Sequence, residues 1–412
     1  MSEWAARCLE CGEPVTSHGG QPSGERRRSR RIVVVPIVLV VLGALGIGVT
    51  VLASRSHTSG PLQATWTPLA PYPLVPDAGD LPITCPNTLV AWHGDLYGAG
   101  LVFKQGVPNP LAPVVWHYHP PGGWATSWNA AARDQPGFGS QQWLFAERNH
   151  LLLLDAGETS TRAWTSRDGM AWSAAPLQIV GAGPVWMTEV VQRGRRLVAI
   201  VRGLNLAKQS LYVSDDGLRW RPVPLGRDWL SLSAAAASSS GFVVGGVDGV
   251  GLPAMWTSPD GMHWTTITLT QLPGAVETVA ARDANIVAVG YTGTPPDVVQ
   301  ASWWKTPSGW RSGTPPPKGS ETNLVSFARA LVGFGVGTAE TVSSVDGAAW
   351  TPVPSSLPAG RTVSGVCDGA TPFQGGLAVF AYDGPNAARL QFPFPWLVKL
   401  SHRHNGHVPL HG

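Results

Sequence analysis

The chain has 412 residues, of which 13% are charged, about half the usual share for a soluble domain. Glycine (49 residues) and proline (37) disfavour long helices, while 19 tryptophans and a hydrophobic fraction of 43% exclude a disordered chain. Residues 32–412 hold 23 basic and 22 acidic side chains without a basic stripe, which excludes nucleic acid as a partner of this part. The composition predicts a large core built from short strands and turns.

Residues 1–31 form the predicted cytoplasmic segment and contain Cys8 and Cys11 in RCLECGEP. This spacing is typical of one knuckle of a zinc ribbon, in which a tight turn aims two thiolates at one metal. One knuckle supplies two of four ligands, so His18 or a second chain would have to complete the site. A degenerate ribbon or a reduced thiol pair is the favoured alternative, so the sequence predicts no cofactor, and zinc at Cys8 and Cys11 is the less favoured interpretation.

Residues 32–53 read IVVVPIVLVVLGALGIGVTVLA, 22 residues without a charge, which is long enough for a helix to cross a bilayer. Five arginines between residues 26 and 31 place the N-terminus in the cytoplasm. Residues 54–61 are then a linker, and everything beyond them is extracytoplasmic. The alternative is a signal peptide cleaved after Ala53, but the apolar run exceeds the 7–15 residues of a signal core.

Cys85 and Cys367 are the two thiols of the exported part. Oxidising conditions outside the membrane favour a disulfide between them, and closing so long a loop stabilises a fold by about 5 kcal/mol in the chain-entropy model. The alternative is two isolated buried thiols.

A motif of Ser-x-Asp-Gly-x-x-Trp recurs four times beyond residue 160. Shortened copies occur at 306–310 and, without the aspartate, at 119–124. The tryptophans of the six copies are 40–48 residues apart, which sets a repeat of about 45 residues. The four complete copies contain Asp168, Gly169 and Trp172; Asp216, Gly217 and Trp220; Asp260, Gly261 and Trp264; and Asp346, Gly347 and Trp350.

Each repeat contains four short strand patterns, the number expected of one blade of a β-propeller. The motif falls on the hairpin between the third and fourth strands, where aspartate accepts hydrogen bonds from turn amides and glycine adopts a positive φ. The tryptophan that follows buries a large ring against neighbouring structure. The motif is therefore explained by structure alone.

The ends of the exported chain supply one further blade between them. Residues 64–71 resemble the fourth strand of a repeat, and residues 361–366, 376–382 and 389–400 read as three strands without a fourth. Joining the two fragments predicts an all-β, seven-bladed propeller over residues 62–400, with Cys85 and Cys367 at equivalent places in the first and last blades. The tail, residues 401–412, is rich in histidine and is predicted to be disordered.

These copies resemble the Asp-box, or BNR, repeat of sialidase-like and related bacterial β-propellers. The usual Asp box is written S-x-D-x-G-x-x-W, and the copies here are one residue shorter between aspartate and glycine. The resemblance covers roughly residues 62–400 and implies the propeller fold. A sialidase resemblance would also imply an arginine triad and a tyrosine nucleophile paired with glutamate, a set that the sequence does not reveal.

Other residues with catalytic or ligating chemistry are few. Glu189, Glu277 and Asp297 are the carboxylates considered for a glycosidase, and surface solvation is the favoured interpretation of each. His117 and His119 alternate along a strand and would face the same side, where they either share a metal or form an exposed pair on an edge strand, which is the favoured interpretation.

The sequence therefore favours a membrane-anchored, non-catalytic propeller that binds a protein or a glycan at the cell envelope. A carbohydrate-active hydrolase is the first alternative. The second is a transmembrane sensor that reports ligand capture outside through the segment containing Cys8 and Cys11.

Overall fold

The structure is a computed structural model, and its described residues all lie within one compact unit, Thr58–Gly412. These residues contain no helix, and so none that is long and apolar enough to cross a membrane. The predicted membrane span, residues 32–53, and the pair Cys8 and Cys11 lie outside them. The described residues are 62–70, 81–82, 86, 88–103, 111–129, 141–156, 161–181, 185–203, 209–225, 229–317, 323–327, 330–334, 341–359, 361, 363–383 and 393–402.

The strands form seven sheets, which we number as blades 1–7. The first strand, β1 (Leu62–Pro68), belongs to blade 7. Blade 1 comprises β2 (Leu81–Pro82), β3 (Thr88–Trp92), β4 (Asp95–Phe103), β5 (Leu111–His119) and β6 (Gly123–Asn129). Blade 2 comprises β7 (Gln141–Ala146), β8 (Leu151–Ala156), β9 (Thr161–Ser166) and β10 (Trp172–Ala175). Blade 3 comprises β11 (Gln178–Ile179), β12 (Val185–Arg193), β13 (Arg196–Gly203), β14 (Gln209–Ser214) and β15 (Arg219–Val223).

The remaining blades follow the same order along the chain. Blade 4 comprises β16 (Trp229–Ser238), β17 (Gly241–Asp248), β18 (Pro253–Ser258) and β19 (Thr265–Thr268). Blade 5 comprises β20 (Gly274–Arg282), β21 (Asn285–Thr292), β22 (Val299–Thr306) and β23 (Gly309–Gly313). Blade 6 comprises β24 (Asn323–Phe327), β25 (Ala330–Phe334), β26 (Thr341–Ser344) and β27 (Thr351–Val353). Blade 7 comprises β28 (Ser355–Ser356), β29 (Val363–Phe373), β30 (Gly376–Asp383) and β31 (Pro393–His402), together with β1.

The predicted seven-bladed, all-β propeller with four main strands per blade is confirmed. Blade 7 closes the ring as predicted, because β1 pairs antiparallel with β31 along its whole length, from Leu62 opposite His402 to Pro68 opposite Trp396. The predicted order of the last strands is also confirmed, although β29 runs to Phe373 rather than ending near residue 366. Pairing the first strand with the last removes a sheet edge at each end of the domain.

The core is divided among the seven interfaces between neighbouring blades. Seven clusters of buried apolar side chains each combine residues from two adjacent blades, including blades 7 and 1, where Phe380 and Leu96 lie in the same cluster. The second strand of a blade packs on both faces, so it is an unbroken apolar run, as in Leu151–Leu154 of β8, which is fully buried. The hydrophobic stabilisation therefore lies mainly between sheets.

The tryptophan expected after each hairpin packs at the interface with the preceding blade in every blade. Trp66, Trp124 and Trp220 are buried as predicted, whereas the other four are only half-buried: Trp172, Trp264, Trp310 and Trp350. A second series of buried aromatic side chains, which the sequence did not predict, lies on the third strands. Its members are Trp116, Trp164, Tyr212, Trp256, Trp303 and, in the closing blade, Trp396.

Candidate functional site

The hairpin of blade 3 shows how the repeated motif is built. Asp216 Oδ1 accepts hydrogen bonds from the backbone amides of Leu218 (2.9 Å) and Arg219 (2.8 Å), and Ser214 Oγ donates to the same oxygen at 3.0 Å. The backbone amide of Gly217 donates to Ser214 Oγ (2.8 Å), and the Trp220 indole donates to the Gly217 carbonyl (2.9 Å). The serine, aspartate, glycine and tryptophan of the motif are thus hydrogen-bonded to one another or to the amides of their own turn.

The glycine of each complete motif faces the preceding blade. Gly217 has a φ of +69°, and a Cβ at this position would overlap the Leu152 side chain on β8 of blade 2. The equivalent contacts are Gly169 with Tyr97, Gly261 with Val198 and Gly347 with Val287, each on the second strand of the preceding blade. The motif therefore acts as a joint between neighbouring blades as well as a turn.

Three aspartates of the motif, Asp168, Asp216 and Asp260, are stabilised in the ionised form by their turns. Hydrogen bonds from the backbone amides of Ala171 and Met170 lower the pKa of Asp168, and those from His263 lower the pKa of Asp260. Burial opposes ionisation of Asp216, but the amides of Arg219 and Leu218 outweigh it and lower its pKa too. Carboxylates held in this way serve the fold and are poor proton donors near neutral pH.

Blade 1 departs from the motif and instead contains a cluster of two histidines and an aspartate. His117 Nε2 lies 2.7 Å from Asp95 Oδ2, and His119 Nδ1 lies 2.7 Å from Asp95 Oδ1. The two histidines alternate along β5 and share one face, as predicted. The favoured interpretation, an exposed pair on an edge strand, was wrong, because β5 lies between β4 and β6 and only 17% of the His117 side chain is exposed. Asp95 at the start of β4 lies between the two histidines.

Tyr97 packs against this cluster. Its ring stacks on the imidazole of His117, with centroids 4.6 Å apart and planes 11° from parallel. Desolvation, assisted by the charges of Asp95 and Asp168, raises the pKa of Tyr97 to about 12, so its hydroxyl stays protonated. Burial raises the pKa of Asp95, but hydrogen bonds from His117 and His119 and their charges outweigh this effect and lower it.

Asp95 was missed in the sequence because its role depends on pairing between strands. The hairpin register places Tyr97 opposite His117 and Leu96 opposite Tyr118, which brings Asp95 level with His119. The turn at His93 and Gly94 fixes the register of β4 against β3 only, so the sequence carried no direct signal for the position of Asp95 relative to β5.

A solvent-open groove of about 330 Å³ lies between blades 3 and 4. It is on the side of the ring that carries the motif hairpins, which we call the hairpin side and on which the cluster of blade 1 also lies. Arg196 donates to Asp215 Oδ1 (2.7 Å) and to the Asp260 carbonyl (2.7 Å), so it bridges the two blades. Arg193 also crosses, donating to the Pro259 carbonyl at 2.9 Å. The third arginine of the groove, Arg195, is exposed.

The carboxylates considered for glycosidase chemistry are spread over several elements. Glu189 lies on β12 and Glu277 on β20, the first strands of blades 3 and 5, with blade 4 between them. Asp297 is exposed in the turn between β21 and β22.

The predicted disulfide is only partly within the described residues. Cys367 is buried on β29, and Cys85 lies outside them, so their pairing stays a prediction. The first two residues of the tail predicted to be disordered, Ser401 and His402, instead end β31 opposite Gln63 and Leu62. The rest of the tail lies outside the described residues.

No protein family matches this sequence, and no curated protein is significantly similar to it. Among solved structures, a puromycin-hydrolyzing peptidase of Mycobacterium tuberculosis is similar with a TM-score of 0.50 and 10% identity, over 77% of this chain and 52% of that one. The chain therefore spans about half the length of that peptidase.

For two further similar structures, the similarity extends over nearly the whole of the other chain. One is YCF48 bound to a D1 peptide, at 12% identity and a TM-score of 0.46, over 81% of this chain and 98% of that one. The other is the α-L-arabinofuranosidase Arb93A of Fusarium graminearum with an iminosugar inhibitor, at 14% identity and a TM-score of 0.40, over 81% of this chain and 96% of that one. At such identities and TM-scores, these two likenesses carry no conclusion about what this chain binds or does.

Proposed function

We propose that this protein is a single-pass membrane protein whose extracytoplasmic propeller binds a protein or a glycan at the cell envelope without converting it chemically. Residues 32–53 anchor it, and the arginines before them keep the N-terminus in the cytoplasm. The geometry of the motif hairpins supports placing the propeller among the Asp-box repeats of the sialidase-like superfamily.

The observation that carries a binding role is the open groove between blades 3 and 4. Its arginines are fixed by carbonyl and carboxylate partners, except for Arg195, which is exposed at the rim. Arginine is enriched in recognition surfaces because its guanidinium forms several directed hydrogen bonds with little loss of entropy. An open polar groove suits an extended glycan or a protein loop better than a small substrate enclosed for reaction.

The test compares binding and turnover by the full chain in detergent. On an array of envelope glycans we expect selective binding that Arg195→Ala weakens at least tenfold. Arg311→Ala, which removes an exposed arginine on β23 of blade 5, is the matched control and should leave binding unchanged. If the glycans do not bind, a peptide array displaying envelope protein segments gives the protein alternative, with the same pair of variants.

The hydrolase alternative is examined with a panel of fluorogenic glycosides. We expect no turnover above a buffer blank. Turnover that Glu277→Gln abolishes would instead make this protein a glycosidase and overturn the proposal.

The topology is tested separately by fusing alkaline phosphatase, which is active only outside the cytoplasm, after residue 61. We expect an active fusion that remains in the membrane fraction after a carbonate wash. An active fusion released from the membrane would show cleavage of the N-terminal helix and contradict the anchor.

A further inference from the structure

We propose that Asp95, His117 and His119 bind a divalent transition-metal ion of the zinc type on the hairpin side of blade 1. One ligating atom from each of the three residues lies within 4.8 Å of the other two. It is the one such group of three or more histidine, cysteine or acidic side chains within the described part of the chain. The proposal goes beyond the binding role above and does not depend on it.

The distances fit an ion after small adjustments. Two atoms bound to one Zn²⁺ at 2.0–2.2 Å are roughly 3.4 Å apart in tetrahedral geometry. The two imidazole nitrogens now lie 2.7 Å from the carboxylate oxygens, so movements of about 1 Å would open the centre for the ion. The strands need not move, because such shifts lie within the range of side-chain torsions.

The set of donors selects the class of metal. Two of the three ligands are imidazole nitrogens, which suit zinc, copper, iron and nickel, whereas calcium and magnesium prefer oxygen ligands. Two histidines and one carboxylate with a further position open are a ligand set that proteins use for zinc.

The cluster is held by rigid elements and still reaches solvent. Asp95 and His117 are mostly buried, with 19% and 17% of their side chains exposed, and the stacked ring of Tyr97 fixes the His117 imidazole. His119 completes the set from the surface, with 69% of its side chain exposed. An ion could therefore enter from solvent, and its fourth position would face outward toward water or a donor group of a bound partner.

The chain offers a matched pair for comparison in blade 4. His263 Nδ1 lies 2.7 Å from Asp260 Oδ2, the same contact as in blade 1, without a second histidine in the group. A histidine–aspartate contact by itself serves the turn there. What distinguishes blade 1 is the third ligand.

The experiment is a titration of the full chain in detergent with Zn²⁺ by calorimetry and with Co²⁺ by visible absorption. The other two potential metal-binding segments are first removed by Cys8→Ser and Cys11→Ser and by changing the four histidines of the tail to asparagine. We expect one equivalent of Zn²⁺ and a cobalt spectrum of nitrogen and oxygen ligation. His117→Gln, His119→Gln and Asp95→Asn should each weaken zinc binding at least tenfold, and His263→Gln should leave it unchanged.

His119→Gln decides the matter if the more buried variants fail to fold, because its exposed side chain can be replaced without disturbing the core. Folding of each variant is followed by tryptophan fluorescence. Absence of zinc binding in the parent, or zinc binding that His119→Gln leaves intact, would overturn the proposal and show that the cluster is a hydrogen-bonded structural unit.

Discussion

The hairpins of blades 3 and 5 occupy equivalent places but are built differently. In blade 3, Asp216 collects two turn amides, and Gly217 packs directly against Leu152 of the preceding blade. In blade 5 a tighter turn replaces the aspartate, with Thr306 donating to the Gly309 carbonyl (2.7 Å). A Cβ at Gly309 would contact nothing within 4 Å.

The tryptophans of the two hairpins also differ in how deeply they are buried. The Trp220 ring is fully buried between blades 2 and 3, and its indole N–H is bonded to the turn. Trp310 is half-buried, and its indole N–H has no hydrogen-bond partner among the described residues. Either hairpin reverses the chain, whereas in blade 3 the glycine and the tryptophan also pack tightly against the preceding blade. The following predictions test this difference, beginning with the largest effect.

Trp220→Ala should lower the free energy of unfolding by about 3–5 kcal/mol, because it empties a fully buried site between two blades. Trp310→Ala should cost less than about 2 kcal/mol, since part of that ring is already in water. Guanidinium unfolding of the full chain, followed by far-UV circular dichroism, measures both. Equal losses would remove the distinction between the two hairpins.

Gly217→Ala should cost about 2–4 kcal/mol, the sum of a left-handed backbone conformation and an overlap with Leu152. Gly309→Ala is the control, since its φ of +123° is also strained for alanine while the space around it is open. We expect it to cost about 1–2 kcal/mol in the same unfolding measurement. A larger loss of stability in Gly309→Ala than in Gly217→Ala would contradict the role of the motif glycine as a joint between blades.

Asp216→Ala removes the acceptor of two turn amides and should cost about 1 kcal/mol, at the low end because the turn reaches solvent. Ser308→Ala in the shortened hairpin should change the stability by less than about 0.5 kcal/mol. Thermal unfolding of both variants beside the parent resolves the difference. An Asp216 variant as stable as the parent would show that the turn forms without its aspartate.

The pKa values of Asp168, Asp216 and Asp260 are lowered in the folded protein, so its stability depends on pH. This is the smallest of the expected effects. A carboxylate whose pKa falls on folding stabilises the folded state above its unfolded pKa of about 4, and this contribution is lost as pH falls through the lower folded value. The melting temperature should therefore decline below about pH 4. It should decline less steeply in Asp216→Asn, and identical pH profiles would exclude a contribution from this residue.

The seven-bladed ring could be predicted from the sequence because each repeat contains a hairpin that requires particular residue types at fixed positions. A positive φ, amides without partners and a large ring after the turn fix Ser, Asp, Gly and Trp at constant spacing, so the hairpins, the blade number and the closure by β1 could be read directly. The unequal burial of the tryptophans could not be read, because it depends on the side chains of the neighbouring blade.

The cluster in blade 1 was half predicted for a related reason. His117 and His119 share a face because of the two-residue period of a strand, which is visible in the sequence. Asp95 joins them only through the register of β4 against β5. The solvent-open groove likewise forms only when blades 3 and 4 pack together. Sites that combine strands or blades depend on tertiary pairing, which one sequence does not display.

The joint between blades is tested most directly by a double-mutant cycle of Gly217→Ala and Leu152→Ala. If the motif glycine is required by its contact with the preceding blade, truncating Leu152 creates room for the new methyl group. Gly217→Ala should then cost about 1–2 kcal/mol less in the Leu152→Ala background than in the parent chain. The same cost in both backgrounds would show that Gly217 serves its own turn alone, and the account of the motif as a joint between blades would be wrong.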